Sequence, residues 1–380
     1  RISIPIGNRT IGDSDSVKWG IGYEGKNKDG LYIMRNFDPI RFNDSFEVDL
    51  QPYFLLQRAV LGKTDAFREV DSSFTSNNVR NDINYLDLFA LDLNLEGRFS
   101  NSSLSINSSF NSLNPDKFYD AISLKANFVQ KLYLKEIVDG QVLEESCNSG
   151  LDKKDNRSIY QSDLGIYTIY DKDDIYMGYG TKIINNFQFN NGYSSRNYDL
   201  IIDVGNFQAD SLTDSNILVY SDRYSLSSSF THTYKISEFS KNEYDDTYIY
   251  TPEIIDQGVF IKANISSGFS YYNSSGSQSI FQASIGPAIT YGNLKENFFD
   301  YTYISLRPEY SYKRGESPFS FDDFNNNSRL LIEFRQQLFG PILIGLESSL
   351  NLNSNSNGHG NLENTKYTLG INRRAYSIAF

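Results

Sequence analysis

The chain of 380 residues contains only two histidines, His232 and His359. A serine hydrolase needs a histidine within hydrogen-bond reach of a serine. His232, in Phe230-Thr231-His232-Thr233, is the one candidate. Its phase groups it with apolar residues, which reads as a wall or interfacial histidine. His359, in Asn357-Gly358-His359-Gly360, has turn composition. Cys147 is the single cysteine, so no internal disulfide framework exists, and it reads as a spare thiol. No Cys/His spacing fits zinc. The acidic groups Asp171, Asp173, Asp174 and Asp322-Asp323 lack the calcium loop with its closing glutamate and read as solvated turns. Gly178-Tyr179-Gly180 is too short for a phosphate loop and lies in an alternating strand rather than before a helix. The expectation is a protein without catalytic, cofactor-binding or metal residues, and not an enzyme.

Bulk composition narrows the partners. The net charge is -12 and the pI about 4.8, which argues against nucleic acid and against a polybasic membrane-surface protein. Aromatic residues make up 15% while mean hydropathy is only -0.45. That combination suits a wall with one apolar and one wet face, and not disorder, which is poor in aromatics. The longest near-apolar stretch, FGPILIGL at 339–346, falls far short of the ~18 residues of a membrane helix. With Arg1 first and no signal peptide in view, the chain reads as a processed part of a longer precursor.

The elements that must carry these residues are strands. Apolar and polar residues alternate with period two along segment after segment. Trp19, Ile21 and Tyr23 alternate with Gly20, Gly22 and Glu24. Phe46, Val48, Leu50, Phe54 and Leu56 alternate with Glu47, Asp49, Gln51, Tyr53 and Gln57. Leu91, Leu93 and Leu95 alternate with Asp92, Asn94 and Glu96, and the pattern persists through Ile342, Ile344, Leu346, Leu350 and Leu352. A soluble sandwich would bury the apolar face; a membrane barrel turns it to lipid and keeps the polar face wet. Segments of about 10–14 residues, charges on the polar phase and aromatics near segment ends favour the barrel. The expected fold is all-β, a transmembrane antiparallel β-barrel of roughly 16 strands (about 14–20) with longer extracellular loops. Residues 1–16 read as a lead-in from a missing periplasmic segment and 17–380 as the barrel.

The longer connections are expected at 63–83, 137–162, 237–256, 313–328 and 354–364, and tight turns of the opposite rim at Asn101-Ser102 and Asp171-Lys172-Asp173. Pro52, Pro287, Pro308 and Pro341 fall inside or at the start of strand patterns and imply locally weakened pairing. The ending Tyr376, Ile378, Phe380 resembles the last-strand signal by which barrel-insertion machinery recognises outer-membrane barrels. The apolar phase is odd at Tyr367, Leu369 and Ile371 and even from Tyr376, which implies a bulge near Asn372-Arg373-Arg374.

Four stretches carry a family resemblance: VKWGIGYEGKNKDGLYIMRNF, FEVDLQPYFLLQRAVLG, LFALDLNLEGRFSNSSLSINSSFNSLNPDKF and GINRRAYSIAF. They resemble the barrel of the lipopolysaccharide-assembly outer-membrane protein family (LptD, organic-solvent-tolerance protein), nearest its cyanobacterial branch. The resemblance implies a translocon in the bacterial outer membrane. Periplasmic bridge components pass lipopolysaccharide or a related glycolipid to it, the glycan crosses the lumen, and the lipid leaves sideways between the first and last strands. The implied gate comprises Trp19, Ile21 and Tyr23 with Pro39 and Pro52 on one side, and Leu369, Ile371, Arg373 and Arg374 on the other. The paired cysteines of better-known members have no counterpart, since Cys147 is single. The rival readings are a porin or substrate-specific channel, and a barrel-borne hydrolase using His232.

The topology is testable directly. Leu91, Leu93, Leu95, Ile344, Leu346 and Leu350 should face lipid. Leu93→Arg should impair assembly, because a cation at mid-bilayer costs about 2–4 kcal/mol, whereas Asn94→Arg should be mild. Equal yields of heat-modifiable protein from both variants would contradict the assignment.

Overall fold

The computed structural model describes residues 2–6, 19–24, 28–35, 37–64, 68–70, 76–78, 81–117, 121–138, 141–143, 156–171, 176–214, 216–239, 255–322, 324, 328–353, 360–373 and 376–379. In chain order the strands are β1 (Ile2–Ile6), β2 (Trp19–Glu24), β3 (Gly30–Arg35), β4 (Ile40–Asn43), β5 (Phe46–Phe54), β6 (Lys63–Thr64), β7 (Arg68–Val70), β8 (Ser76–Asn78) and β9 (Asn81–Asp82). There follow β10 (Phe89–Arg98), β11 (Ser102–Phe110), β12 (Ile122–Val138), β13 (Gln141–Leu143), β14 (Arg157–Tyr170), β15 (Met177–Asn190), β16 (Ser194–Asp210) and β17 (Leu218–Glu238). The last are β18 (Gly258–Tyr272), β19 (Gly276–Tyr291), β20 (Thr302–Gly315), β21 (Ser328–Phe339), β22 (Ile342–Asn351), β23 (Leu362–Arg373) and β24 (Tyr376–Ala379).

Twenty strands share one sheet, and every pairing is antiparallel. All but β4 and β13 follow a simple up-and-down path in which each pairs with the next. β4 lies along the first half of β5, and β13 folds back on the end of β12. β6 with β9, and β7 with β8, form two small separate ladders. No helix among the described residues is long and apolar enough to cross a membrane.

Alternation becomes two different surfaces. On β14 to β20, strands of 14 to 21 residues, one face carries Ile166, Ile183, Ile202, Leu226, Ile265, Phe269, Phe281, Ile285 and Leu306, all exposed. Register joins them across the sheet: Ile183↔Ile202, Ile202↔Leu226, Leu226↔Phe269. Tyrosines flank this aliphatic band at both ends. Tyr179, Tyr220, Tyr224, Tyr271, Tyr310 and Tyr312 lie towards one end of the sheet, and Tyr160, Tyr198, Tyr234 and Tyr291 towards the other. A soluble sandwich would cover such a face. Here the buried apolar side chains form only small clusters, such as Tyr32, Tyr53, Leu55 and Ala90, and these lie on or beside the polar face.

Several expectations are corrected. The alternation of β5 does not run on through Leu56 and Gln57: a helix, α1 (Leu56–Leu61), begins there and ends at Gly62, whose φ of 66° suits glycine. Residues 157–162, expected in a loop, belong to β14. Ile2–Ile6 pair with β2, so the sheet starts ahead of residue 17. The final phase change is not a bulge. Arg373↔Tyr376, Ile371↔Ile378 and Gly370↔Ala379 pair β23 with β24 as an antiparallel hairpin. Directly opposed residues share a face, so odd positions of β23 align with even positions of β24. Nor do long loops keep to one rim. In an antiparallel meander the connections alternate between ends, and the turn after β10 and the one after β14 fall at opposite ends of the sheet. The long connections 55–88 and 139–156 do likewise.

The prolines behave as expected in the middle of the sheet. β19 and β20 keep one register from Ser284↔Glu309 to Ala288↔Ser305, but Ile285–Pro287 and Leu306–Pro308 between them are unpaired. Pro287 and Pro308 each lack an N–H for the ladder.

The connection from β5 to β10 is tied down by charge. Arg58, fully buried on α1, donates to Asp29 Oδ2 (2.7 Å) and to the carbonyls of Asp87 (2.6 Å) and Asn111 (2.8 Å). Burial alone pushes its guanidinium below the usual value, and Asp29 and Asp87 counter this. Asp87, also fully buried, accepts from Ser112, Asn84 N, Asn114 and Lys117. Burial pushes its carboxyl up, but those donors outweigh it and hold the carboxyl below its usual value. A depressed acid stabilises the fold above its unfolded value of about 3.9, and that contribution is lost as pH falls through the lower folded value. Protease sensitivity of 84–117 should therefore rise in a step below about pH 4, and Asp87→Asn should remove the step. An unchanged step in Asp87→Asn would contradict this account.

Candidate functional site

The face opposite the aliphatic band is polar, and its charges are placed by register. Period two puts Asp92, Lys125, Lys182, Asp203, Arg223, Lys262, Glu309 and Glu333 on one side of their strands. Cross-strand neighbours then pair. Arg307 bonds Glu333, Arg329 Nε lies 2.5 Å from Glu309, and Arg335 lies 3.2 Å from Glu347. Lys262 donates to Tyr303, which donates to Glu333. Asn186, Asn197 and Ser229 converge on Asp199, near a cavity of about 300 Å³ walled by Arg157, Ile159, Gln188, Asn190, Ser195 and Asn197.

Near the start of the sheet, Asp92 accepts hydrogen bonds from Tyr53 (2.5 Å), Ser109 (2.5 Å) and Lys28 (3.3 Å). Lys28 is 3% exposed and sits 3.6 Å from the centre of the Tyr53 ring.

A second cluster joins elements distant in sequence. The connection from β20 to β21 folds over the polar face. Phe319 bridges Ser211 at the end of β16, and Leu212 N donates to the Pro318 carbonyl. Phe319 is fully buried among Phe207, Tyr272 and Phe321. Asp322 accepts one hydrogen bond from Arg223 Nη2 (3.1 Å) and one from Tyr272, and Arg223 Nε lies 2.8 Å from its carboxylate as an ion pair. Arg223 also holds Asp203, which accepts from Tyr167. Burial pushes the Asp322 carboxyl above its usual value, Arg223 and Tyr272 offsetting part of this.

Among the described residues no strand pairing joins the two groups of residues expected to form a gate. Trp19, Ile21 and Tyr23 lie on β2, which is flanked by β1 and β3. Leu369, Ile371 and Arg373 lie on β23, flanked by β22 and β24. Each is one strand inside its edge. Tyr376 and Ile378 are on β24; Arg374 and Phe380 lie outside the described residues. Among the described residues no pairing joins β1 to β24. Pro39 is exposed just before β4, and Pro52 opposes Leu91 on β5. On the other edge of β5, β3 pairs at Phe54 and Tyr53 and β4 from Val48 back to Phe46.

His232 is on the apolar face between Phe230 and Tyr234, with Ser194 Oγ 2.9 Å from its Nε2. Among the described residues no carboxylate bonds its ring. Asp171 pairs with Lys125 and Asp322 with Arg223; Asp173, Asp174 and Asp323, like Cys147 and His359, lie outside the described residues. No described cluster of His, Cys, Asp or Glu could hold a metal ion. Sequence reading missed the fold-over of 316–322. Its signal was there: Phe319 and Phe321 in a connection otherwise rich in Ser, Asp and Asn.

Over residues 1–380 the chain matches the family described as "Protein of unknown function (DUF3769)", and it belongs to that family. No curated protein and no solved structure matches it.

The Lys28 cluster supplies a test. Asp92→Ala would leave a buried ammonium without its nearest carboxylate, and breaking such a pair costs about 3–5 kcal/mol. Urea unfolding should show that loss for Asp92→Ala and a far smaller one for Asn94→Ala. Equal losses would mean that the pair does not hold this end of the sheet.

Proposed function

We propose that the sheet closes into a transmembrane β-barrel of the bacterial outer membrane and serves as a translocon for lipopolysaccharide or a related glycolipid. The glycan follows the charged face inside, and the lipid leaves sideways at the seam. Three features support the membrane part. The apolar face is exposed and edged by tyrosines at both ends. The central strands, 14 to 21 residues long, exceed the roughly 9–11 needed to cross a bilayer. The opposite face carries the ion pairs. In lipid an open edge would leave amides unpaired, which demands closure.

The observation that carries the translocon reading is the weakness of one region of the sheet. β1 has 5 residues and β24 has 4. β3 holds to β5 by two residue pairs, beside Pro52. The neighbouring seam between β10 and β5, by contrast, has nine pairs. Each ladder bond is worth about 0.5–1.5 kcal/mol net in water, and in lipid no water substitutes for a lost one. Such a seam opens while the long hairpins hold. Periplasmic bridge components deliver the lipid in this scheme, and barrel-insertion machinery reads Tyr376, Ile378 and Phe380.

A second reading, a channel for polar solutes, is favoured by the fold-over of 316–322 across the charged face. The two are separated by a lock. Ser3→Cys with Ser377→Cys, in a Cys147→Ser background, should cross-link β1 to β24 on oxidation. The expected result is loss of lipopolysaccharide delivery to the surface, with barrel folding and small-solute leakage retained. Undiminished surface lipopolysaccharide in a fully cross-linked protein would overturn the translocon and leave the channel.

A further inference from the structure

The connection from β20 to β21 runs over the polar face instead of away from the sheet end. Surface connections ordinarily stay in solvent, because their backbone groups need water. This one satisfies some of them on the sheet, where Leu212 N donates to the Pro318 carbonyl and Gln278 to the Asp322 carbonyl, and one within itself, where Phe319 N donates to Ser317 Oγ. It reaches past β19, β18 and β17 to the end of β16, where Phe319 meets Ser211. Two kinds of side-chain interaction add to these bonds. Phe319 and Phe321 stack at 5.1 Å and pack on Phe207, which is 3% exposed, while Tyr272 closes the cluster at 0%. Asp322 is clamped by Arg223 and Tyr272.

This packing is a small local cluster, Phe207, Ala209, Tyr272 and Phe319, on the polar face. The face it covers carries Asp203, Arg223 and Tyr167, groups that water would otherwise solvate. The segment places a carboxylate and two phenyl rings over the charged face.

We propose that Ser317–Asp322 is the constriction of a hydrated path along that face, with Asp322 as its latch and the Asp203–Arg223–Asp322 array as the charged rim that screens polar solutes. This rests on the barrel reading given above, for a translocon or a channel alike. The Arg223 guanidinium is shared between two carboxylates, so the rim has an anionic excess and admits cations and neutral sugars ahead of anions. Removing the latch loosens the segment, since the aromatic contacts and the few backbone bonds are then left without the charged clamp.

The full chain is inserted in planar bilayers after its heat-modifiable mobility has been checked. Replacement of residues 317–322 by Gly/Ser of equal length should raise single-channel conductance severalfold and admit larger sugars in liposome swelling. Asp322→Ala, which keeps the length and both phenylalanines, should show steps between the small and the large conductance. Insertion of the Gly/Ser variant with unchanged conductance overturns the constriction. So does steady small conductance in Asp322→Ala, should the Gly/Ser variant fail to fold. If the unaltered chain neither shifts on heating nor inserts, the barrel reading fails first and takes the constriction with it.

Discussion

An antiparallel ladder converts a period-two sequence into two chemically different surfaces, and a slip of one residue would exchange them. Every other feature of this structure depends on that register. From β14 to β20 it is held through long, nearly unbroken ladders, seventeen residue pairs between β16 and β17 alone. Shifted by one, Leu226 would come opposite Asp203 and Ile202 opposite Ser227, and the aliphatic band would be lost. The β17–β18 ladder shifts register between Lys235 and Ser237, near the end of β17. The interruption between β19 and β20, Pro287 facing Leu306 and Pro308 facing Ile285, breaks hydrogen bonds without shifting register. Both prolines thus remove donors while leaving the faces intact.

The polar face is held by pairing and not by exclusion of water from a large core. Half-buried arginines there each meet a carboxylate: Arg223 with Asp203 and Asp322, Arg307 with Glu333, Arg329 with Glu309. A charge in partial burial is costly unless partnered. The chain's acidic excess is accommodated because many carboxylates also accept from tyrosine, serine or asparagine, as Asp92 and Asp199 do.

The two ends of the meander differ from its middle. Strand length falls from 21 residues in β17 to 4 in β24. β5 changes partner from β4 to β3 where Pro52 stands. The β5–β10 connection compensates by anchoring this region from behind, through Arg58 and Asp87. An edge weak in hydrogen bonds but tethered by buried charge can part and re-form, which is the property the proposed lateral exit requires.

What the sequence determined by itself was the class of structure and the identity of each face. The alternation at Leu91, Leu93 and Leu95 against Asp92 and Asn94 is local, set by the pleat, and needs no partner to be read. The strand number came out near sixteen because strands such as β1 are too short and β4 too polar for a visible period. The end of β5 was overrun because Leu56 keeps the phase by chance while the backbone turns into α1. Tertiary structure alone decided what depends on closing distances between remote segments. That Phe319 would bury against Phe207 and Asp322 bond Arg223 could not be read from period, since those partners are 112 and 99 positions apart. The phase change at Arg373 looked the same as a bulge or as a hairpin, and only the pairing of Ile371 with Ile378 distinguished them. Spacing along the chain reports which face a side chain takes; only the folded register reports what it faces.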